Sequence, residues 1–171
     1  SWVGATIDLQ NLFGEDATNK TTRVNNDERR KATMMMLGDK YEYFWVDKGG
    51  FTYDWVNGTI TYGVGTGSNM VKHLVGNNND HVIGAGIGMD RMKTALATHI
   101  LRLADVYLIY AEAVLGNAAS TSDAKALAAF NAVRSRSING VSPKTSITFD
   151  DIFNERRKEL ACEGDNWYDY V

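Results

Sequence analysis

The chain has 171 residues, of which 44% are apolar and 23% are charged, and this length and composition predict one globular domain with a core of its own. Lys and Arg total 18 against 21 Asp and Glu, giving a formal net charge of −3. That balance argues against nucleic-acid binding, which depends on a large basic surface. No apolar stretch reaches the ~18 to 20 residues of a membrane-spanning helix, so the sequence predicts no membrane span.

The start of the chain indicates that the sequence belongs to something longer. Ser1 stands where an initiator methionine would be, and it is not followed by the charged and then apolar layout of a signal peptide. We therefore expect a piece cut from a larger protein whose N-terminal part is missing.

The first half, residues 1–92, is irregular in pattern. Residues 1–31 are polar and rich in turn signals, so they are expected to form ordered loop. Residues 32–37 and 41–46 carry apolar and aromatic side chains on either side of Gly38 and Asp39. Such runs around a turn predict a small β-hairpin.

Aromatic residues are concentrated between Tyr41 and Tyr62, where eight of the 18 in the chain fall within 22 residues. The turn signals Gly49-Gly50 and Asn57-Gly58 interrupt this stretch and predict that several rings lie on loops. Flat rings with polar edges stack well on sugars, and we expect Trp45, Tyr53 and Trp55 to contact a ligand. The alternative is that these rings fill the core beneath a loop-rich region.

The second half, residues 98–171, predicts three helices. The first spans about residues 100–115, with Thr98 as its cap and Gly116 as its stop. It is apolar nearly all round, so it should be packed on more than one face. The second runs from residue 124 to about 136, capped by Ser120 or Ser122. Thr148 followed by Asp151 resembles a capping box at the start of the third.

The first two of these helices predict an αα-hairpin of the tetratricopeptide kind, because they are joined by a short loop and the second is rich in alanine. One such pair is visible in the sequence. Arrays of this kind need three or more units to bury a continuous core. Other pairs are therefore expected outside this chain, unless the likeness is superficial.

Charged and sulfur-bearing residues of the third helix predict structural roles. Arg156 falls on the apolar stripe, where it needs a carboxylate partner, and Asp105 or Glu112 on the first helix could supply it. Glu155 and Glu159 alternate with basic residues, which favours a salt-bridged or solvated helix surface over a glycosidase pair. Cys162 lies in the helical pattern and is expected to be buried.

The sequence predicts neither a metal site nor a bound cofactor. The three histidines lack the spacing of a helical metal pair and have no cysteine partners. Gly84, Gly86 and Gly88 do not follow the spacing of a dinucleotide-binding loop. These glycines are expected to form turns.

Three strings occur in series in the second half: R-L-A-D-V-Y-L-I-Y-A-E-A at residues 102–113, F-N-A-V-R-S-R at residues 130–136, and I-F-N-E-R-R-K-E-L-A-C-E-G-D-N-W-Y-D at residues 152–169. Together they resemble the SusD/RagB family of nutrient-binding outer-membrane lipoproteins. Upstream, the D-E-R of residues 27–29 is similar to the family's D-x-R element. The likeness is strong in the second half and loose in the first.

This resemblance implies a mainly α, SusD-like fold, with a tetratricopeptide-like helix hairpin and a loop-rich ligand side that carries short β-strands. It implies a protein anchored by a lipid on the outer-membrane surface, which binds an oligosaccharide and delivers it to a TonB-dependent SusC-like transporter. It implies no catalysis. The family's ligand residues follow no fixed motif, so Trp45, Tyr53 and Trp55 rest on aromatic density.

Other functions remain open from the sequence. A family member could bind a peptide instead of a glycan, or the helices could serve as a protein-interaction scaffold with the aromatic rings in its core. A glycosidase would need two carboxyl groups across a cleft, and no pair in the sequence marks one.

Overall fold

The computed structural model describes residues 4–15, 26–53, 66–74 and 99–164. The chain divides into two compact units, each made of several segments. The first comprises residues 1–7, 16–23 and 31–98, and the second comprises residues 8–15, 24–30 and 99–171. The second unit therefore contains the three long helices together with two short segments from early in the chain.

The strands of the first unit form two small antiparallel pairs. β1 (Met34–Met36) pairs with β4 (Ser68–Met70), and β2 (Lys40–Tyr41) pairs with β3 (Phe51–Thr52). The predicted hairpin of residues 32–37 with 41–46 is therefore wrong, although a turn does follow β1. The reason lies in Asp39, whose carboxylate accepts a hydrogen bond from the Met36 amide at 2.7 Å and whose carbonyl accepts one from Tyr53 N at 2.9 Å.

Three aromatic side chains, Met35 and Val71 form a buried cluster in this first unit. Its buried members are Met35, Tyr41, Phe44, Tyr53 and Val71, with Phe51 and Leu74 packed at the edge. The Tyr41 hydroxyl donates a hydrogen bond to the Lys31 carbonyl at 2.9 Å. Part of the aromatic density in the sequence is thus explained by packing.

The prediction of loop throughout residues 1–31 is wrong, because two short helices fall within or begin in this range. They are α1 (Ile7–Leu12) and α2 (Glu28–Thr33), each of six residues. Helices this short are not stable alone and depend on tertiary contacts. A buried ion pair between Arg30 and Glu15, 2.8 Å apart, is one such contact.

The three long helices of the second unit are α3 (Leu103–Leu115), α4 (Ala124–Ser137) and α5 (Phe149–Glu159). The prediction of three helices is confirmed, with small differences at the ends. α3 begins after Arg102, later than predicted, so Ile100 and Leu101 precede the helix. It ends as predicted at Gly116, whose φ of 54° suits glycine and whose N–H donates to the Glu112 carbonyl at 2.9 Å.

Different residues from those predicted cap α4, whereas the prediction for α5 is confirmed. Asp123, not Ser120 or Ser122, accepts hydrogen bonds from the amides of Lys125 and Ala126, at 3.0 and 2.9 Å. At α5, Thr148 Oγ1 accepts from the Asp151 amide at 3.2 Å, and the Asp151 carboxylate accepts from the Thr148 amide at 3.1 Å. This reciprocal pair is a capping box.

The core of the second unit lies where α3 packs against α4 and α5. Its buried members are Ala104, Leu108, Ala111, Leu115, Ala126, Phe130, Val133, Ile147 and Ile152. The opposite side of α3 is exposed at Val106, Ile109 and Tyr110. Within the described residues, α3 is therefore packed on one side, and the predicted second packed face is absent.

Cys162 is exposed, so the prediction of a buried thiol is wrong. α5 ends at Glu159, and Cys162 lies in the turn that follows it, with a φ of 64°. The helical pattern of the sequence continues beyond the point at which the helix ends.

Among the residues that the structure describes, no helix combines the length and the apolar character needed to cross a membrane.

The observed cap of α4 can be tested against the two serines that the sequence favoured. Asp123→Ala should lower the free energy of unfolding by about 1 kcal/mol, because two amides of the first turn lose their acceptor. Ser120→Ala and Ser122→Ala serve as matched controls and should change it little, since both serines are exposed. Urea unfolding followed by circular dichroism measures all three, and an equal loss in a serine variant would contradict the assignment.

Candidate functional site

Charged side chains gather around Arg29 in the interior of the second unit. Its guanidinium pairs with Asp27 at 2.7 Å, with Glu155 at 2.7 Å and with Glu159 at 2.9 Å. All four residues are buried. Because an unpaired charge in such a place is very costly, each of these groups depends on the others.

Glu159 is held by arginines from three different parts of the chain. One carboxylate oxygen accepts from Arg102 and from Arg136, each at 2.5 Å, and the other accepts from Arg29. Arg102 also pairs with Glu163 at 2.6 Å and donates to the Glu159 carbonyl at 2.5 Å. We refer to this group of residues as the charge cluster; its members are Asp27, Arg29, Arg102, Arg136, Glu155, Glu159 and Glu163.

A separate buried ion pair joins α5 to α3. Arg156 Nη1 lies 2.5 Å from Asp105 Oδ1, and both side chains are buried. This confirms the prediction that Arg156 has an acidic partner on the first long helix. Of the two candidates, Asp105 forms the pair, and Glu112 is exposed.

The predicted salt bridges of Glu155 and Glu159 are confirmed, but both residues are more deeply buried than predicted. Neither lies on a solvated surface. A signal for this was present, since both residues recur at three- and four-residue spacing from Ile152, which is fully buried. Arginines on three other segments could not be assigned to them from spacing alone.

The charge cluster keeps Glu159 ionised. Burial by itself would raise the pKa of this carboxyl, but hydrogen bonds from Arg102, Arg29 and Arg136 outweigh it and lower the pKa from 4.5 to about 2. Burial opposes the charge on Arg29 as well, yet its carboxylate partners raise the pKa of the guanidinium above its ordinary value. A general acid must carry a proton near neutral pH, which Glu159 does not.

Trp45 is the member of the predicted ligand residues that presents a partly open ring. Its side chain is 37% exposed, and the ring packs edge-on against Phe51, with centroids 4.9 Å apart. Its backbone is left-handed, with φ 52° and ψ 49°. The Trp45 carbonyl accepts hydrogen bonds from Lys48 N at 2.8 Å and Gly50 N at 3.1 Å, which holds this turn in place.

Tyr53 is fully buried, so its ring belongs to the core of the first unit. Its hydroxyl accepts a hydrogen bond from Asn69 Nδ2 at 2.9 Å, and burial raises the pKa of the phenol. Sequence pattern alone does not distinguish Trp45 from Tyr53, because both lie in the same aromatic stretch. Trp55 lies outside the described residues.

Within residues 4–15, 26–53, 66–74 and 99–164, no group of three or more His, Cys, Asp or Glu side chains is placed to hold a metal ion. Around Trp45, these ranges place the ammonium group of Lys48 5.1 Å from the centroid of the indole ring.

Comparison with known proteins identifies the relatives of this chain. The family model described as the SusD family matches residues 7–171. The chain belongs to the SusD family. A SusD-like protein of Bacteroides ovatus is 43% identical over 143 residues, which are 84% of this chain and 23% of that protein.

Two crystal structures are similar to this SusD-family chain over 97% of its length, each with a TM-score of 0.74. One is 37% identical and the other 38% identical, and the second was determined with a xylogluco-oligosaccharide. The chain spans 28% and 29% of these two proteins. Their likeness confirms the mainly α, SusD-like fold with a few short strands.

The strings that carried the resemblance meet in space at the charge cluster. Arg102 comes from the first string, Arg136 from the second, and Glu155 and Glu159 from the third. The D-x-R element contributes Asp27 and Arg29. Four separated segments of this SusD-family sequence thus supply one set of ion pairs around the buried carboxylates of Glu155 and Glu159, which identifies their role as structural.

Adjacent arginines on α5 allow the buried pair to be compared with a pair whose carboxylate is exposed. Arg156→Ala should lower the free energy of unfolding by about 3 to 5 kcal/mol, because it leaves Asp105 buried without its partner. Arg157→Ala should cost about 0 to 1 kcal/mol, since its partner Asp8 is exposed. Equal losses in urea unfolding would contradict the structural role of the Arg156–Asp105 pair.

Acid should weaken the fold through Glu159. Because the folded-state pKa is below the ordinary value, ionised Glu159 stabilises the fold above pH 4.5, and this contribution is lost as the pH falls toward about 2. A shift of this size corresponds to roughly 3 kcal/mol. Glu159→Gln should therefore be less stable at pH 7 and should lose less stability between pH 4.5 and 2.

Chemical unfolding of both proteins at several pH values measures this difference. Asp151→Asn is a suitable comparison, because Asp151 is more exposed and its pKa is also lowered. Burial by itself would raise the pKa of this carboxyl, but hydrogen bonds from Lys144 and the Thr148 amide outweigh that effect. A pH profile of Glu159→Gln parallel to that of the parent would contradict the assignment.

Proposed function

We propose that this chain is part of a cell-surface protein that binds an oligosaccharide without chemical change and delivers it to a TonB-dependent SusC-like transporter. Membership of the SusD family supports the general role of nutrient binding. The chain spans 23% of the curated relative. The ligand, the transporter and the location on a lipid-anchored outer-membrane protein are therefore proposals for the intact protein.

The choice of ligand rests on one observation, that a relative of this chain was crystallised with a xylogluco-oligosaccharide. That protein is 38% identical to this chain, with a TM-score of 0.74 over 97% of its length. Similarity of this extent favours the same class of ligand, a neutral oligosaccharide.

Trp45 is the residue for which the local geometry best supports ligand contact. A left-handed backbone costs a non-glycine residue roughly 1 to 2 kcal/mol, and such strain is often found at functional positions. Here it accompanies a partly exposed indole ring. We also propose ligand contact for Trp55, whereas Tyr53 is proposed to support the aromatic segment from the core.

The charge cluster supports a binding role over glycoside hydrolysis. Retaining and inverting glycosidases need a protonated carboxyl group beside the scissile bond. Glu159 is ionised, and both it and Glu155 are buried against arginine side chains. These carboxylates are engaged in holding the fold together.

Trp45→Ala in the intact protein should weaken binding of a xylogluco-oligosaccharide by roughly 1 kcal/mol, the order of magnitude of a contact with an aromatic ring. Trp45→Phe should retain much of the affinity, because it keeps an aromatic face. Titration calorimetry measures binding, and product analysis of the same samples tests for hydrolysis. Release of shorter sugars would overturn the proposal of binding without chemistry.

Tyr53→Phe is the matched control from the same aromatic segment. It removes the hydroxyl that accepts from Asn69, so it should lower stability by about 1 kcal/mol while leaving affinity unchanged. A panel of oligopeptides in the same assay tests the alternative ligand class. Peptide binding without sugar binding would contradict the choice of an oligosaccharide.

A further inference from the structure

The turn that follows α4 contains an asparagine directly before a glycine. α4 ends at Ser137, and Asn139 and Gly140 come shortly after it. Both of these residues are exposed, and Gly140 has a φ of 69°. The Val141 amide donates to the Ile138 carbonyl at 3.3 Å. Asn139 and Gly140 are therefore the two central residues of a tight turn on the surface.

An asparagine in this setting is open to loss of its side-chain amide. Asparagine is among the chemically labile residues of proteins, because the backbone nitrogen of the next residue can attack its Cγ. Gly140 has no Cβ to obstruct that approach. Among the residues that the structure describes, none accepts a hydrogen bond from the Gly140 amide. The attacking nitrogen therefore has no hydrogen bond to give up within these ranges.

Asn139 also holds a segment that lies far away in the sequence. Its Nδ2 donates a hydrogen bond to Glu28 Oε1 at 3.1 Å, and its backbone amide donates to the Asn26 carbonyl at 3.0 Å. Asp27, which lies between these two partners, forms an antiparallel β-bridge with Ile138. Asn139 and its neighbour thus fasten this segment to the end of α4.

The fastened segment leads directly into the charge cluster. Asp27 and Arg29 are members of the cluster, and Arg29 pairs with Glu155 and Glu159 on α5. Asn139 therefore lies where the early segment joins the long helices. A chemical change at this residue would act on that junction.

We propose that Asn139 is a site of spontaneous deamidation, and that its modification loosens residues 26–30 from α4. In the first step, the Gly140 amide loses its proton to solvent base, and its nitrogen forms a bond with Asn139 Cγ to give a succinimide. The bond between Cγ and Nδ2 breaks, and Nδ2 takes up a proton and leaves as ammonia. Water then opens the ring at either carbonyl group, which yields aspartate or isoaspartate. The whole change consumes a water molecule, releases ammonia and needs no oxidant or reductant.

Both products remove the hydrogen bond to Glu28. The Nδ2 donor is replaced by a carboxylate oxygen, which can only accept, so two carboxylates face each other. Isoaspartate also adds a carbon to the main chain within the turn. That added length separates the Val141 amide from the Ile138 carbonyl and disturbs the residue that forms the bridge to Asp27.

Peptide mapping of the intact protein tests the modification. After storage in warm, mildly alkaline buffer, mass spectrometry with isoaspartate-specific methylation reports each asparagine separately. Isoaspartate should accumulate several-fold faster at Asn139 than at Asn131, which lies within α4 and whose side chain exchanges two hydrogen bonds with Lys144, at 2.9 and 2.8 Å. Asn57 also precedes a glycine but lies outside the described residues, and its tryptic peptide is a different one.

Two results of this experiment would overturn the proposed site. One is the absence of isoaspartate at Asn139, and the other is equal accumulation at Asn131. Asn139→Gln is the matched variant, because it keeps an amide donor while its longer side chain would have to close a larger ring. It should lose the signal from this peptide.

Hydrogen exchange of the same stored samples tests the loosening. The backbone amides of residues 26–30 should exchange faster in stored than in fresh protein. The Ile147 amide, which donates to the Thr121 carbonyl away from this turn, should be unchanged. Stored Asn139→Gln should match its fresh sample at both places. Modified protein whose residues 26–30 keep their original exchange rates would contradict the proposed loosening, and this comparison needs no variant.

Discussion

The pairing of Arg29 with Glu155 and Glu159 is the constraint on which the second unit depends. Two carboxylates one helical turn apart repel each other, and burying both would be prohibitive without cations. Arg29 bridges them, while Arg102 and Arg136 complete the shell around Glu159. The requirement that these guanidinium groups converge restricts where their segments can lie relative to α5.

The sequence predicts well those features that depend on neighbouring residues. The capping box of Thr148 and Asp151, the stop at Gly116 and the extent of α4 all follow from local chemistry. The acidic partner of Arg156 was also predictable, because a guanidinium on the apolar side of a helix needs a carboxylate nearby, and α3 offers only Asp105 or Glu112 at suitable positions. The SusD family was recognised from three sequence strings, because their order along the chain is specific as well as the residues within them.

Features that depend on distant contacts were predicted poorly. β1 pairs with β4, which lies beyond the aromatic segment, and no local pattern indicates that partner. α2 is too short to be stable by helix propensity alone, and its residue Arg30 forms a buried ion pair with Glu15. Trp45 and Tyr53 have similar sequence surroundings, yet one is partly exposed and the other is fully buried. Whether an individual ring is buried depends on its tertiary contacts, and the local sequence does not show these contacts.

The distance along the chain between members of the charge cluster has a consequence for the order of folding. Arg29 and Glu159 are 130 residues apart, whereas α3, α4 and α5 are joined by short loops. Closing a long loop costs more entropy than closing a short one, so we expect the three helices to assemble first and Arg29 to join them late. Loss of its guanidinium should then accelerate unfolding more than it slows refolding, a difference that stopped-flow kinetics can resolve.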